Sequence, residues 1–163
     1  MIRYLFTQIC HGVDSLHTTA KYAHLDIKLE NILIGNDFNL KLCDFGFAQE
    51  VDKEISTKFG TESYIAPEIE TRRSGETYKG VQADIFSLGV ILFIFKFGNP
   101  PFIRASPMDR NYSIFIRKPE CFWKMHPSVK KYNAANEPID EDLKDLLTSM
   151  LSSDLKTRPE SVE

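Results

Sequence analysis

The sequence predicts a mainly α fold of the α+β family, with one or two short β-hairpins on the face that carries the chemistry. Three observations lead there. The run IFSLGVILFIF, Ile85 to Phe95, is apolar on every side of a helix and reads as the buried centre of one domain. Segments at both ends of the chain place apolar residues at helical spacing. One pair of short apolar runs, NILI and LKLC, is joined by residues that favour a tight turn. A chain of 163 residues suffices for a single domain that buries roughly 70% of its unfolded surface.

In order along the chain, Ile2, Leu5, Phe6, Ile9, Val13 and Leu16 define an amphipathic helix ending near Leu16. The loop HLDIKLEN, His24 to Asn31, then precedes the hairpin, whose turn is GNDFN. From Asp44 to Pro67 the chain is polar and without a period. That is too long for an idle connector, and loops of this length commonly carry function. Helices follow over Val81 to Lys96, over Met108 to Arg117, and over IDEDLKDLLTSML near the end. In the last, Asp140 and Glu141 suit the positive end of the helix dipole, and Leu143, Leu146, Leu147, Met150 and Leu151 form the apolar face. The opening helix has no cap before it, and TRPESVE leads into what reads as another helix. Both ends therefore look cut, with Met1 either an initiator or internal to a longer parent chain.

Composition narrows the function classes. A hydrophobic share of 42% and a charged share of 26% are ordinary for a soluble globular protein. A net charge of −3 gives no overall recruitment of nucleic acid or an anionic membrane. The run Ile85 to Phe95 is about half of what a bilayer crossing needs. Cys10, Cys43 and Cys121 lie far apart, with no CxxC pair and no histidine at ligand spacing, so no zinc site is expected. So sparse a set fits a reducing compartment, and a cytoplasmic, intracellular location is expected. Cys43 reads as a small inert core residue, although its place beside Asp44 leaves open a thiol lining a ligand pocket.

The chemistry gathers around HLDIKLEN. Phosphoryl transfer requires little covalent help: a carboxylate near the acceptor hydroxyl, metal ligands, and a cation near the moving phosphoryl group. The loop offers Asp26, Lys28 and Asn31, and the hairpin delivers DFG, with Asp44, back to the same place. Asn31 and Asp44 carry hard oxygen donors of the kind Mg2+ takes. A lone Asp or Lys in a loop is usually a solvated surface residue, and it is the combination that points to a site.

These motifs resemble the C-terminal lobe of a eukaryotic protein kinase, over essentially all 163 residues. HLDIKLEN resembles the catalytic loop and DFG the magnesium loop. GTESYIAPE (Gly60 to Glu68) resembles the end of the activation segment, and ADIFSLGVILF (Ala83 to Phe93) the central helix. LKTRP (Leu155 to Pro159) supplies an arginine for Glu68. The resemblance implies a kinase C-terminal lobe, with ATP and Mg2+ as cofactors and a protein serine or threonine as acceptor. Asp26, Lys28 and Thr61 are then catalytic: Asp26 orients the hydroxyl, Lys28 neutralises charge, and Thr61 bridges the two. Lys28, Glu30, Asn31 and Asp44 form the cofactor side, with Asn31 and Asp44 holding the metal. Glu30 is also placed to contact a basic residue of the substrate. Glu68 and Arg158 form a buried ion pair, Asp84 holds the catalytic-loop backbone, and His24 stacks with Phe45. Lys28 together with GTxxY is the serine/threonine pattern. GNPPF, FW and the final TRP look most like the calcium/calmodulin-dependent group.

Three features depart from a complete domain or from the commonest pattern. No GxGxxG loop, no VAIK-like strand and no partner glutamate occurs, so the N-terminal lobe is absent from the sequence. Two readings follow: a serine/threonine kinase of which this is one part, or a catalytically silent binding or scaffold module. On either, the 163-residue chain alone is expected to transfer no phosphate. Leu25 and Gln49 stand where many relatives place basic residues that grip a phosphate on the activation segment, here at Thr57. Only Lys53 and Lys58 remain nearby, so activity independent of that phosphate is expected. Finally, the surface around His24, Phe45 and the opening helix is expected to expose apolar groups.

Overall fold

Helix α3, Gly80–Phe97, is the axis of the molecule, and its residues 83 to 93 are buried without a break. The computed structural model describes residues 1–135 and 138–161; the helix expected after TRPESVE lies outside the described residues. By length and composition α3 could cross a membrane, but most of it is enclosed by the rest of the domain. It matches the expected Val81 to Lys96 to within one residue at each end: Gly80 starts it against Ala23, and Gly98, at φ +81°, ends it. A Cβ on Gly80 would stand 2.4 Å from that of Ala23, with Leu25 and Ile55 also in contact. This close approach docks the start of α3 against the HLDIKLEN loop.

Helix α1, Ile2–Ser15, packs Ile9 and Val13 inward, with Ile2 and Phe6 at the margin. Its expected end near Leu16 is found, but the chain then widens into a π-helical turn, Leu16–Ala20, closed by Lys21 at φ +64°. Strands β2, Ile32–Ile34, and β3, Leu40–Leu42, form the expected hairpin in register Ile32↔Leu42, Leu33↔Lys41 and Ile34↔Leu40. Asp37 accepts from the Asn39 amide inside the turn, and Phe38 takes φ +60°. A second antiparallel pair joins β1, Tyr22–Ala23, to β4, Gln49–Glu50.

After the short helix α2, Pro67–Glu70, and α3, come α4, Arg110–Arg117, α5, Pro119–Met125, α6, Pro127–Ala135, and α7, Glu141–Met150. Asp109 caps α4 by accepting from the Tyr112 amide, and Asp140 caps α7 through the Asp142 amide. Helices α5 and α6 were not expected. Each is under three turns and begins on a proline, which suits a first helical position but breaks the helical period for a reader of sequence. They enclose the far end of α3 in an aromatic cluster of Phe93, Phe97, Phe122, Trp123 and His126.

His126 is buried in that cluster, and burial pushes its pKa below the usual imidazole value, the Pro101 carbonyl and Asp109 working in the opposite direction. The unfolded chain therefore takes up this proton first. His126 costs no stability above the ordinary histidine range near about 6.5, and stability falls as the pH drops below it. Denaturant midpoints are expected to be lower at pH 5.5 than at pH 7.5, with a shallower dependence in His126→Phe. An equal dependence in that variant would place the effect elsewhere.

On the opposite end of the molecule Leu33, Ile34, Phe38 and Phe45 are exposed, as is Tyr4 of α1. The expected apolar surface is present there, but His24 is no part of it, being fully buried.

Candidate active site

The site is built on Asp84, a fully buried carboxylate on the first turns of α3. Its oxygens accept from the His24 amide at 2.7 Å, the Leu25 amide at 2.8 Å and His17 Nε2 at 2.8 Å. A buried carboxylate is costly without such partners, and three donors satisfy it. In return it holds Leu25 at φ +66°, a left-handed conformation that costs a non-glycine residue about 1–3 kcal/mol. Asp26 follows directly on that turn and is itself buried. His17 is a functional neighbour that sequence reasoning missed: it stands beyond the last apolar position of α1, and only the π-helical turn brings it under Asp84.

Both oxygens of Asp26 are engaged. Lys28 Nζ donates to Oδ2 at 2.6 Å, Thr61 Oγ1 donates to Oδ1 at 2.7 Å, and Asn31 Nδ2 reaches Oδ2 at 3.2 Å. Lys28 Nζ also donates to Thr61 Oγ1 at 2.9 Å, which closes a ring of three side chains. Burial acts to raise the Asp26 pKa, but the bonds from Lys28, Thr61 and Asn31 and the Lys28 charge outweigh it. The net shift is downward, so Asp26 is a carboxylate at neutral pH. A carboxylate so stabilised is a weak base and a good acceptor, suited to aligning a hydroxyl.

Thr61 reaches this ring because Gly60, at φ +105°, lets the activation segment approach the catalytic loop. A Cβ there would lie 3.0 Å from the Leu25 carbonyl. Further along, Glu68 receives two bonds from Arg158, at 2.7 and 3.0 Å. The remaining N–H groups of Arg158 donate to the Gln82 and Ser152 carbonyls, so all five donors of this fully buried side chain are used. Ser87 Oγ of α3 donates to the Tyr64 carbonyl at 2.8 Å, a second anchor of the segment that the sequence did not disclose.

The hairpin returns the chain so that Cys43, the residue before Asp44, bonds to Asn31. The Cys43 amide and thiol both donate to the Asn31 carbonyl, at 2.9 and 3.3 Å, and His24 Nε2 is 3.0 Å from the Cys43 carbonyl. Cys43 is half-buried, so it is less enclosed than a core thiol. Asp44 follows at φ +63°, exposed, its Oδ1 accepting from the Gly46 amide. The Asn31 side-chain N–H groups are committed to Asp26, which leaves its amide oxygen for a cation. That oxygen and the Asp44 carboxylate are the hard donor set Mg2+ accepts beside phosphate oxygens, and to that extent the residues fit a magnesium nucleotide. Among the described residues no group of three or more His, Cys, Asp and Glu is placed to hold a metal, so a metal here needs Asn31 and a ligand's oxygens. Glu30 is exposed on the turn before Asn31 and makes no hydrogen bond or ion pair among the described residues. The His24 and Phe45 rings lie 5.1 Å apart, and Phe45 is 50% exposed.

Leu25 itself fills space between Gly80 and Ile55, with no charge to offer a phosphate. Thr57 is exposed, and its carbonyl accepts from the Tyr78 hydroxyl. The two nearby lysines are already engaged, Lys58 with Glu70 at 2.6 Å and Lys53 with Gln49.

With this geometry in hand, comparison with known proteins gives one family: the protein kinase domain, matched over residues 1–163. The chain belongs to the protein kinase family. It is 33% identical to the serine/threonine-protein kinase fhkC of Dictyostelium discoideum, over 96% of this chain and 25% of that protein. It is equally similar, at 33%, to the cell cycle serine/threonine-protein kinase CDC5/MSD2 of Saccharomyces cerevisiae, over 99% of the chain and 21% of the relative. CBL-interacting protein kinase 26 of Oryza sativa subsp. japonica is 34% identical over 96% of the chain and 29% of its own length. The chain thus spans about a quarter of the length of the curated relatives it matches.

Proposed function

We propose that these residues are the lower half of a site that phosphorylates serine or threonine in protein substrates, working within a complete kinase domain. The observation that carries this reading is the closed ring of Asp26, Lys28 and Thr61, with Asn31 on the same carboxylate. A scaffold has no need of it. Asp26 accepts a hydrogen bond from the substrate hydroxyl, aligns it, and receives its proton. Lys28 keeps positive charge beside the reacting oxygen, and Thr61 fixes both side chains. Asn31 and Asp44 would hold Mg2+, and Glu30, exposed on the rim, would meet a basic residue of the substrate. A bound magnesium nucleotide supplies the phosphoryl group and the charge neutralisation that this transfer needs. Groups of an N-terminal lobe, which this sequence does not contain, supply the remaining nucleotide contacts. Among kinase groups, the GNPPF, FW and TRP segments favour the calcium/calmodulin-dependent one. An intracellular location accords with three free cysteines.

The reading is tested by supplying the full-length protein with Mg2+, labelled ATP and matched peptides bearing serine, threonine or tyrosine. Label on serine or threonine is expected. Absence of transfer from a folded full-length protein that binds Mg-ATP would favour the scaffold reading. The same assay addresses Thr57. With Leu25 apolar and both lysines engaged, a phosphate there gains only exposed contacts, worth roughly 0–1 kcal/mol. Thr57→Ala and Ser56→Ala are each expected to retain activity within about tenfold, or 1.4 kcal/mol of barrier. A larger loss would mean the segment is switched by phosphorylation after all.

A further inference from the structure

The charge of this chain is unevenly placed. From Arg110 to Ala135, over α4 to α6, stand six cations, Arg110, Arg117, Lys118, Lys124, Lys130 and Lys131, and a single acid, Glu120. The chain as a whole carries −3. All six cations are exposed, and none makes an ion pair among the described residues. Helical spacing puts Arg110, Ile114 and Arg117 on one face of α4, and Pro127 and Lys131 one turn apart on α6.

Between these helices lies a pocket of about 130 Å3, lined by Arg110, Ile114, Phe122, Met125 and His126 among others. Ligand sites for cofactors run roughly 300–1,000 Å3, so this one has room for a single side chain. His126, 5% exposed, lines it, and its Nδ1 is buried with no hydrogen-bond partner among the described residues. A buried ring nitrogen left in that state costs stability, which marks the place as set up for a donor. Met125, half exposed and unbranched, can swing aside to admit one.

We propose that this face docks an acidic protein segment whose tyrosine enters the pocket and donates its phenol hydrogen bond to His126 Nδ1. The cations supply the charge complementarity, and the apolar lining takes the ring. Burial favours the neutral ring, and with its proton on Nε2 the Nδ1 atom is an acceptor. Phosphate oxygens carry no donor for it, so a phosphate group alone does not satisfy this acceptor. The site lies on elements that contribute nothing to the Asp26 ring, so it stands or falls apart from the catalytic reading.

The test is fluorescence anisotropy of the full-length protein with a labelled peptide bearing one tyrosine flanked by glutamates. Micromolar binding that weakens with added salt is expected. Phenylalanine in place of the tyrosine should weaken it about tenfold. Lys118→Glu with Lys124→Glu, both exposed and without ion pairs among the described residues, should weaken it at least tenfold, with circular dichroism unchanged. His126→Phe should bring the tyrosine peptide down to the phenylalanine peptide's affinity while leaving the latter unchanged. Equal affinity of the two peptides for the unmodified protein would mean that water alone meets Nδ1 and would overturn the proposal. So would tighter binding of a single-stranded oligonucleotide or of phosphatidylserine vesicles than of the acidic peptide, or no peptide binding at all.

Discussion

Replacing Asp26 by asparagine in the full-length protein is expected to lower phosphoryl transfer by about 10²–10⁴-fold, the range of a positioned proton acceptor, with the fold unchanged. The amide keeps one oxygen for Thr61 or Lys28 and nearly the same volume, so the ring of contacts loses charge and not shape. What is removed is the carboxylate that the structure holds ionised through three neighbouring side chains. The loss should therefore fall on turnover far more than on substrate affinity. Circular dichroism and thermal midpoints of the variant are expected to match the parent within a few degrees. Turnover near the parent's value would remove Asp26 from the chemistry.

Arg158→Ala is expected to cost about 3–5 kcal/mol of stability, the range for breaking a buried ion pair from one side. The cost has two sources. Glu68 keeps its charge and loses both of its bonds, and the Ser152 and Gln82 carbonyls lose their donor. Because Glu68 lies in the first turn of α2, seven residues after Thr61 in the same segment, the loss should also loosen Thr61 and depress activity. Arg158→Met, which fills the same space over Phe86, should recover part of the stability but none of the tethering. Urea denaturation of the three proteins measures this. A loss under about 1 kcal/mol for Arg158→Ala would show the pair to be dispensable.

Reading the sequence worked where one physical signal dominates. The all-apolar α3 and the amphipathic α1 and α7 follow from the spacing of their apolar residues alone, and the β2–β3 hairpin from its turn residues. It failed where structure is made by distant contacts or by breaks in a period. Helices α5 and α6 hide behind Pro119 and Pro127, and β1 with β4 is a two-residue pairing across the catalytic loop and hairpin. The site divides in the same way. Asp26, Lys28 and Asn31 lie within one short stretch and could be read together. Thr61, 35 positions from Asp26, and Arg158, 90 from Glu68, were legible only through the resemblance of their motifs to a family. His17 carries no such motif, and its role under Asp84 depends on a local widening of the helix that no spacing rule anticipates. Phe45 is half exposed, as expected, but His24, read as part of the same exposed surface, is fully buried, because ring burial depends on what lies over it and not on the residue type.

The assignment of separate duties to Asp26 and Asp44 is the centre of this account, and titration calorimetry of Mg-ATP into the full-length protein tests it most directly. Asp26 sits in a closed ring with Lys28 and Thr61, while Asp44 is exposed and its carboxylate accepts only the Gly46 amide among the described residues. Asp26→Asn is expected to bind Mg-ATP within a few-fold of the unmodified protein, and Asp44→Asn to lose at least tenfold, about 1.4 kcal/mol. Equal losses in the two variants, or unchanged Mg-ATP affinity in Asp44→Asn, would contradict it.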